Sequence, residues 1–414
     1  MPPLRNDCFA LPPGVHWTPV DEALDMLRSR LRAVVGQEDV AVPDALGRIV
    51  ARDVMATRAH PPLANTAVDG YGFAGGRGDG PHELPLLDAD MPAGAVPDQS
   101  VPAGTAVRIL TGAALPPGVD TVILQEDVTV EAGQVRFEGP LKQGANTRAA
   151  GEDVVAGAVV APAGRRLTPA DLALLSAVGV GRVAVRHSLR VGVLSTGDEL
   201  VQPGAEARPG QIFDANRPML RALIAQLGHV AVDLGHVCDD RAALAAVLDR
   251  AVGEVDAILT SGGASAGDHD HVSALLNDTG TMQMWRVAIK PGRPLALGLW
   301  QGVPVFGLPG NPVAAMVCTL IFGAPALSVL AGAAWRAPQG FAVPAAFTKR
   351  KKAGRREYLR ARIRDGRVEA FASEGSGRIS GLSWAEGLVE LPDAAGEVSV
   401  GDLVRFIPWG GFGA

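Results

Sequence analysis

Strands and helices alternate along residues 189–331, and this alternation constrains the fold more than any other feature of the chain. Apolar runs at 189–195 and 231–237 are typical of buried strands, and a helix capped by Asn216 is predicted between them. Right-handed crossovers between such units build a doubly wound, mainly parallel sheet. Ligands of these sheets bind beyond the carboxyl ends of the strands.

A loop rich in glycine and serine, residues 260–270, follows another apolar run and precedes a helical segment that begins near His271. Glycines allow close approach of the backbone to a ligand, and the unpaired N–H groups of a helix start favour anions. The carboxylates of Asp268 and Asp270 then suit a divalent cation placed between acid and phosphate. The loop matches neither common phosphate-loop motif. It therefore indicates either a phosphate or nucleotide site with a metal, or an ordinary strand-to-helix turn.

Polar motifs also follow three other predicted strands, at 195–200, 239–240 and 307–312. Four polar connections at one sheet edge favour a binding crevice over chance. The segment 290–294 adds cations held by prolines, with Arg286 upstream, and arginine matches phosphate or another tetrahedral oxyanion. Taken alone, this segment also fits a strand-edge turn with surface charges.

The sequence pattern is different on both sides of the α/β region. Short apolar segments separated by turns predict an inserted all-β module from about 60 to 148, and a strand-like pattern returns after 335. A basic run at 349–356 reads as a solvated turn or a functional patch. The predicted division is a discontinuous mixed linker domain at 15–58 and 149–186, an inserted β-rich domain at 59–148, an α/β domain at 187–334 and a C-terminal β-barrel-like domain at 335–414.

Composition narrows the classes of function. A net charge of −6 argues against a general nucleic-acid binder. Three widely spaced cysteines and an N-terminus without a signal pattern favour a cytoplasmic protein without disulfides. Residues 313–335 carry no charge and are long enough to span a bilayer, but the break at 323–325 favours a pair of buried helices and no membrane association.

Seven short motifs occur in an order that resembles the MoeA family, the molybdopterin molybdenumtransferases related to the C-terminal domain of gephyrin. The resemblance covers nearly the whole chain. The motifs are Val68-Asp69-Gly70-Tyr71, Thr111-Gly112, Arg148-Ala149-Ala150-Gly151-Glu152-Asp153, Ser195-Thr196-Gly197-Asp198-Glu199-Leu200, Ser261-Gly262-Gly263, Lys290-Pro291-Gly292 and Leu308-Pro309-Gly310-Asn311-Pro312.

The resemblance implies insertion of molybdate into adenylylated molybdopterin, with Mg²⁺ and with release of AMP. It implies an elongated homodimer whose site also uses the β-rich insertion of the other protomer, and an α/β domain of the MogA/MoaB kind. A molybdopterin adenylyltransferase is the implied partner. Catalytic roles are implied for Asp69, Thr111, Asp153, Glu199, Asp239, Asp270 and Lys290, with Asp239 and Asp270 as metal ligands. Substrate contacts are implied for Ser261, Gly262, Gly263, Ser265, Gly267, Arg286, Pro309, Gly310, Asn311, Pro312, Arg360 and Ser376.

Three other functions stay open at this point. The chain is also compatible with a scaffold of the gephyrin kind without catalysis, and with a homologue that loads tungstate, because both metals form tetrahedral oxyanions of similar size. The α/β part alone resembles a pterin-adenylylating enzyme, although the two β-rich parts argue against that activity.

Overall fold

A computed structural model describes residues 17–95, 98–262, 271–278, 283–292, 294–373, 375 and 377–413. The chain separates into two compact units, Asp39–Val185 and the combination of Met1–Glu38 with Arg186–Ala414. Helix α1 (Val20–Arg30) comes before the unit Asp39–Val185 in the sequence and buries Val20, Ala23 and Leu27 along one side. The four-domain division stays a prediction.

The unit Asp39–Val185 is mostly β, in agreement with its turn-rich sequence. A six-stranded sheet has the order β7-β4-β6-β5-β9-β8, and its core includes Phe73, Val135 and Phe137. The strands in this part of the chain are β1 (Gln37–Ala41), β2 (Val54–Met55), β3 (Asn65–Thr66), β4 (Gly70–Phe73), β5 (Arg77–Met91), β6 (Ala106–Ile109), β7 (Thr121–Leu124), β8 (Thr129–Glu131), β9 (Gln134–Leu141), β10 (Thr147–Arg148), β11 (Val159–Ala161) and β12 (Arg182–Arg186). The 3₁₀ turns Val42–Asp44 and Gln125–Asp127 and helix α2 (Pro169–Ala177) complete it.

Helix α2 begins with a capping box. The Thr168 hydroxyl accepts the Asp171 N–H, and Asp171 accepts the Thr168 N–H in return. Arg165 pairs with the same carboxylate, which is buried.

The second unit contains the predicted α/β region. Its elements are β13 (Arg190–Thr196), β14 (Leu200–Val201), β15 (Ile212–Phe213), α3 (Asn216–Gln226), β16 (Val230–Val237), α4 (Arg241–Ala251), β17 (Ala257–Ser261), α5 (His271–Asp278), β18 (Gln283–Arg286), β19 (Ile289–Lys290), β20 (Pro294–Trp300), β21 (Val303–Leu308), α6 (Pro312–Cys318) and α7 (Ala324–Leu330). The sheet order is β16-β13-β17-β21-β20-β18, parallel from β16 to β21 and antiparallel at β20 and β18. The prediction of a doubly wound, mainly parallel sheet is confirmed.

The long apolar segment corrects one expectation. Residues 312–330 form one continuous helix and not a pair, because a π-turn at Thr319–Gly323 joins α6 to α7. The Ala324 N–H bonds to Thr319 O, five residues back, and this wider turn accommodates Pro325, which has no N–H to donate. The helix is long and apolar enough to cross a membrane, but 83% of its most apolar window is buried inside the protein, as in a core helix.

A second six-stranded arrangement follows α7. Its path is β19-β24-β26-β28-β22, with β25 beside β24. Strand β19 comes from the α/β stretch and pairs in parallel with β24, so Lys290 lies opposite Glu357. The remaining elements are β22 (Phe341–Pro344), β23 (Lys349–Lys351), β24 (Arg356–Arg364), β25 (Arg367–Ala370), α8 (Ser380–Trp384), β26 (Gly387–Leu391), β27 (Gly396–Val398), β28 (Leu403–Pro408) and the 3₁₀ turn Trp409–Phe412.

The basic run is not simply a solvated turn. Lys351 is buried, and its Nζ donates to the carbonyl oxygens of Lys352, Asp393 and Ala394. Burial lowers the pKa of Lys351. This lysine therefore connects the strand to a neighbouring turn and has a structural role.

Candidate functional site

The four polar connections leave the same edge of the α/β sheet, as the sequence predicts. Ser195 at the end of β13 is in register with Ser261 of β17, and Ser261 is in register with Leu308 of β21. On the other side of β13, Thr196 is in register with Val237 of β16. The carboxyl ends of these strands therefore form one crevice, where ligands of doubly wound sheets bind.

Gly262 is required where the loop leaves β17. Its φ of +91° belongs to the left-handed region, and a Cβ at this position would lie 2.7 Å from the Thr196 carbonyl oxygen. Its N–H donates to Leu308 O across 3.2 Å. Gly262 therefore allows the loop to pass close to the end of β13, and the predicted approach of its backbone to a ligand stays a prediction.

The turn after β13 brings acidic groups to the crevice. Asp198 Oδ1 accepts the Asp239 N–H at 2.9 Å, which joins the connections after β13 and β16. The carboxylate of Glu199 lies against Gly197, where a Cβ would collide with it. His236 Nε2 lies 2.6 Å from the Gly197 carbonyl oxygen and steadies the same turn.

The two neighbouring aspartates after β16 have different roles. Asp240 is the N-cap of α4, and its Oδ1 accepts the Ala243 N–H at 2.8 Å. Asp239 lies outside the helix with an exposed side chain that no described protein group engages. Asp239 is therefore the aspartate that is available to a ligand or a metal.

Lys290 and Arg360 line one cavity, although 70 positions of sequence separate them. Lys290 Nζ lies 3.5 Å from Glu357 Oε2, and Lys349 Nζ lies 3.2 Å from the same oxygen. This buried carboxylate holds both lysines beside the cavity. The cavity is lined by Lys290, Pro291, Val313, Glu357, Tyr358, Leu359, Arg360, Phe371 and Ser373.

The resemblance implies a substrate contact for Arg360, but the protein itself already engages its guanidinium. Its guanidinium donates to the carbonyl oxygens of Ser373, Gly375 and Arg378 at 2.5–3.2 Å and stacks over Phe371. Burial lowers the pKa of Arg360. These bonds hold the backbone at Ser373, Gly375 and Arg378, so Arg360 also positions Ser373 beside the cavity.

In the unit Asp39–Val185, the structure brings together two of the three predicted residues. Asp69 Oδ1 accepts both the hydroxyl and the N–H of Thr111, each at 2.6 Å. The bond from the hydroxyl, followed by the bond from the N–H, lowers the pKa of Asp69. Asp153 is exposed, and its N–H donates to the His60 carbonyl oxygen. Asp69 is therefore held as a partly exposed carboxylate.

Comparison with known proteins finds matches along nearly the whole chain. Three family models match in succession: the MoeA N-terminal region (domains I and II) at 18–179, a probable molybdopterin-binding domain at 192–329, and the MoeA C-terminal region (domain IV) at 342–409. A molybdopterin molybdenumtransferase of Haemophilus influenzae is 35% identical, over 94% of this chain and 98% of its own length. The chain belongs to the MoeA family. Molybdopterin molybdenumtransferase 2 of Mycobacterium tuberculosis is 33% identical, over 88% of this chain and 93% of its own length.

MoeA structures share the fold. The crystal structure of the molybdopterin biosynthesis MoeA protein from Pyrococcus horikoshii has a TM-score of 0.82 at 28% identity and covers 95% of this chain and 100% of that one. A second structure of the protein from this organism has a TM-score of 0.77 at 30% identity, with 95% and 99% covered. The crevice described above lies in the part of this MoeA chain that matches the molybdopterin-binding domain.

Several predicted residues of this MoeA chain have local structural roles. Asn311 caps α6 by accepting the Val313 and Ala314 N–H groups, and Pro312 occupies the first turn of that helix. Gly310 and Pro309 form the turn before it. Arg286 ends β18, and its carbonyl oxygen accepts the Thr18 N–H. Five predicted residues, Gly263, Ser265, Gly267, Asp270 and Ser376, lie outside the described residues.

Sequence reasoning missed Asn216 as a site residue and predicted it as a helix cap. Ala215 is the N-cap of α3, and Asn216 is inside the helix and buried. Its amide reaches both Ser261 and Gly310 across the crevice. The available signal was the presence of three polar residues, Asp214, Asn216 and Arg217, within four positions at the start of a helix that packs on the sheet.

Proposed function

We propose that this MoeA-family protein is a molybdopterin molybdenumtransferase in molybdenum cofactor biosynthesis, which inserts molybdate into adenylylated molybdopterin and releases AMP in a Mg²⁺-dependent reaction. The observation that carries the proposal is the convergence of Ser261, Gly262 and the Gly310 turn at the carboxyl end of the sheet, within the match to a molybdopterin-binding domain. Full-length relatives named for this activity support it.

The chain's own residues supply binding and charge. The backbone around Gly262 approaches the phosphate closely, as its left-handed conformation allows. Lys290, held by Glu357, offsets negative charge that develops on the phosphate or on molybdate. Arg360 maintains the turn on the far side of the same cavity. In this proposal, the phosphate lies at the crevice and the oxyanion lies toward Lys290.

The carboxylate oxygens of the acidic residues are ligands of the type that Mg²⁺ prefers. Asp198 and Asp239 offer hard oxygen donors at the crevice, and Mg²⁺ is commonly held by one or two carboxylates together with water and substrate phosphate. Among the described residues, no cluster of three or more acidic, histidine or cysteine side chains is placed to hold a metal. We therefore propose Asp239 and Asp270 as ligands that act together with the substrate phosphate. The bound ion would offset phosphate charge.

We further propose a cytoplasmic homodimer in which the second protomer contributes its Asp69 and Thr111 to the crevice, with Asp153 nearby. A carboxylate fixed by two hydrogen bonds but open to solvent suits a role toward a ligand from another chain. The substrate is adenylylated, so a molybdopterin adenylyltransferase is the expected donor partner.

The proposed function is tested by offering the protein two sets of substrates. Adenylylated molybdopterin with molybdate and Mg²⁺ should yield metal-loaded cofactor and AMP. Metal-free molybdopterin with ATP should yield no adenylylated product. Formation of that product would indicate an adenylylating enzyme, and inactivity with both sets would indicate a scaffold. Replacing molybdate by tungstate measures the preference between the two oxyanions.

Thr111→Val is expected to lower AMP release by about tenfold, because it removes one of the two donors that orient Asp69. The melting temperature should stay the same, since Thr111 is exposed. Thr111→Ser keeps the hydroxyl and serves as the matched control, with turnover near that of the wild type. Wild-type turnover in Thr111→Val would show that this donor is unimportant.

A further inference from the structure

The side-chain amide of Asn216 joins two loops of the crevice, and chemistry determines its orientation. Its Nδ2 lies 2.6 Å from Ser261 Oγ and 2.7 Å from the Gly310 carbonyl oxygen. A carbonyl oxygen only accepts hydrogen bonds, so the amide atom that faces Gly310 must be the nitrogen. An amide nitrogen has two hydrogens, and both are used here. Ser261 Oγ is therefore an acceptor from Asn216.

This acceptance determines what remains for the Ser261 hydroxyl. A hydroxyl has one hydrogen to donate, and the Asn216 contact does not use it. Within the described part of the chain, no residue accepts that hydrogen. Ser261 thus keeps a donor at the carboxyl end of β17, next to Gly262. A hydroxyl donor beside a close backbone approach is suited to an anionic oxygen.

The start of α3 holds Asn216 rigidly. Asn216 is 6% exposed, and the next residue, Arg217, forms a buried ion pair with Asp214 and a partly exposed one with Asp233. The Asp233 carboxylate also accepts the Gly235 N–H within the irregular register between β13 and β16. The helix start therefore cannot shift without breaking charged contacts on two elements.

We propose that Asn216 is a positioning residue that keeps Ser261 as a hydrogen-bond donor to the phosphate of the bound substrate and ties this donor to the Gly310 turn. The inference rests on the function proposed above. Asn216 acts by orienting Ser261 and the Gly310 turn, and other groups contact the reacting atoms. Its effect is therefore expected mainly in substrate affinity.

Asn216→Asp tests the polarity of this contact with almost no change in shape. A carboxylate has no hydrogen for Gly310, and it accepts from Ser261, which reverses the direction of that hydrogen bond. KM for adenylylated molybdopterin is expected to rise about tenfold or more, with a smaller change in kcat. Lowering the pH should return KM part of the way to the wild-type value, because burial favours the neutral acid, whose single hydrogen restores one of the two donated bonds. A merely structural defect would not recover in this way.

A double-mutant cycle supplies a second test that does not need Asn216→Asp to fold. If Asn216 acts through Ser261, Asn216→Ala should add little to the KM of Ser261→Ala. Asn277→Asp is the matched control, because it makes the same chemical change at an exposed position of α5 and should leave KM unchanged. Titration calorimetry with AMP gives an affinity that does not depend on turnover.

The outcomes separate the two proposals. A wild-type protein that releases no AMP from the adenylylated pterin contradicts the proposed function. An active wild type with an unchanged KM in Asn216→Asp at every pH, or strictly additive effects in the cycle, overturns the role of Asn216 alone. A raised KM that falls on acidification, together with non-additivity, supports it.

Discussion

Replacing Asp239 by asparagine is expected to lower AMP release by about two orders of magnitude and to raise the Mg²⁺ concentration needed for activity, while the free energy of unfolding stays nearly unchanged. The side chain is exposed and lies outside α4, so no packing is lost. The backbone N–H that bonds to Asp198 is still present in the variant. Only the negative charge at the crevice disappears.

Asp240 provides the matched control, since it is the adjacent aspartate with a different role. Asp240→Ala removes the cap of α4 and should cost about 1 kcal/mol of stability, with turnover of the folded protein retained. AMP release measured across a Mg²⁺ titration, together with urea unfolding of both variants, tests the pair. Full AMP release by Asp239→Asn with Mg²⁺ still required would contradict the acid assignment.

Replacing Arg217 by alanine is expected to cost about 3–5 kcal/mol of stability, the largest effect on folding that we predict. Arg217 Nε lies 3.1 Å from Asp214 Oδ2, and its Nη1 lies 2.9 Å from Asp233 Oδ1. Asp214 is 2% exposed, so the variant leaves a buried carboxylate without its cation. Arg221 pairs with Asp233 at 2.7 Å but is far more exposed, so Arg221→Ala should cost less than about 1 kcal/mol.

This stabilisation should depend on pH. Burial raises the pKa of Asp233, but the hydrogen bonds from Arg217 and the Gly235 N–H and the charges of Arg217 and Arg221 together outweigh burial, and the net pKa is lowered. A lowered pKa in the folded state means that the stabilisation is present above the unfolded value and is lost as the pH falls. The difference in unfolding free energy between the wild type and Arg217→Ala should therefore shrink as the pH falls from neutral to about pH 3, below the usual pKa of an aspartate. Urea unfolding at both pH values measures it, and equal costs for Arg217→Ala and Arg221→Ala would contradict the network.

The sequence predicted those parts of the fold that depend on local residue patterns. The alternation of strand and helix patterns between 189 and 331 predicted the doubly wound sheet. The positive φ of Gly262 and its contact with the Thr196 carbonyl oxygen came from the structure, and the predicted approach of the loop glycines to a ligand stays a prediction.

The predicted break in the apolar helix was wrong, because the prediction considered only the local effect of proline. Proline removes one local hydrogen bond, and sequence rules treat that loss as an end of the helix. In the folded protein, the π-turn at Thr319–Gly323 accommodates Pro325, and burial of the surrounding apolar side chains holds the helix together.

The sequence by itself determined the element types, the crevice at the strand ends and the family to which its motifs belong. Only the tertiary structure decided which polar groups meet there. Asn216 contacts Ser261 and Gly310 because α3 packs against β13, β16 and α6, and Lys290 shares a cavity with Arg360 because β19 pairs with β24. Local propensity acts over a few residues, whereas these contacts depend on strand order and register across 45 to 94 positions of chain.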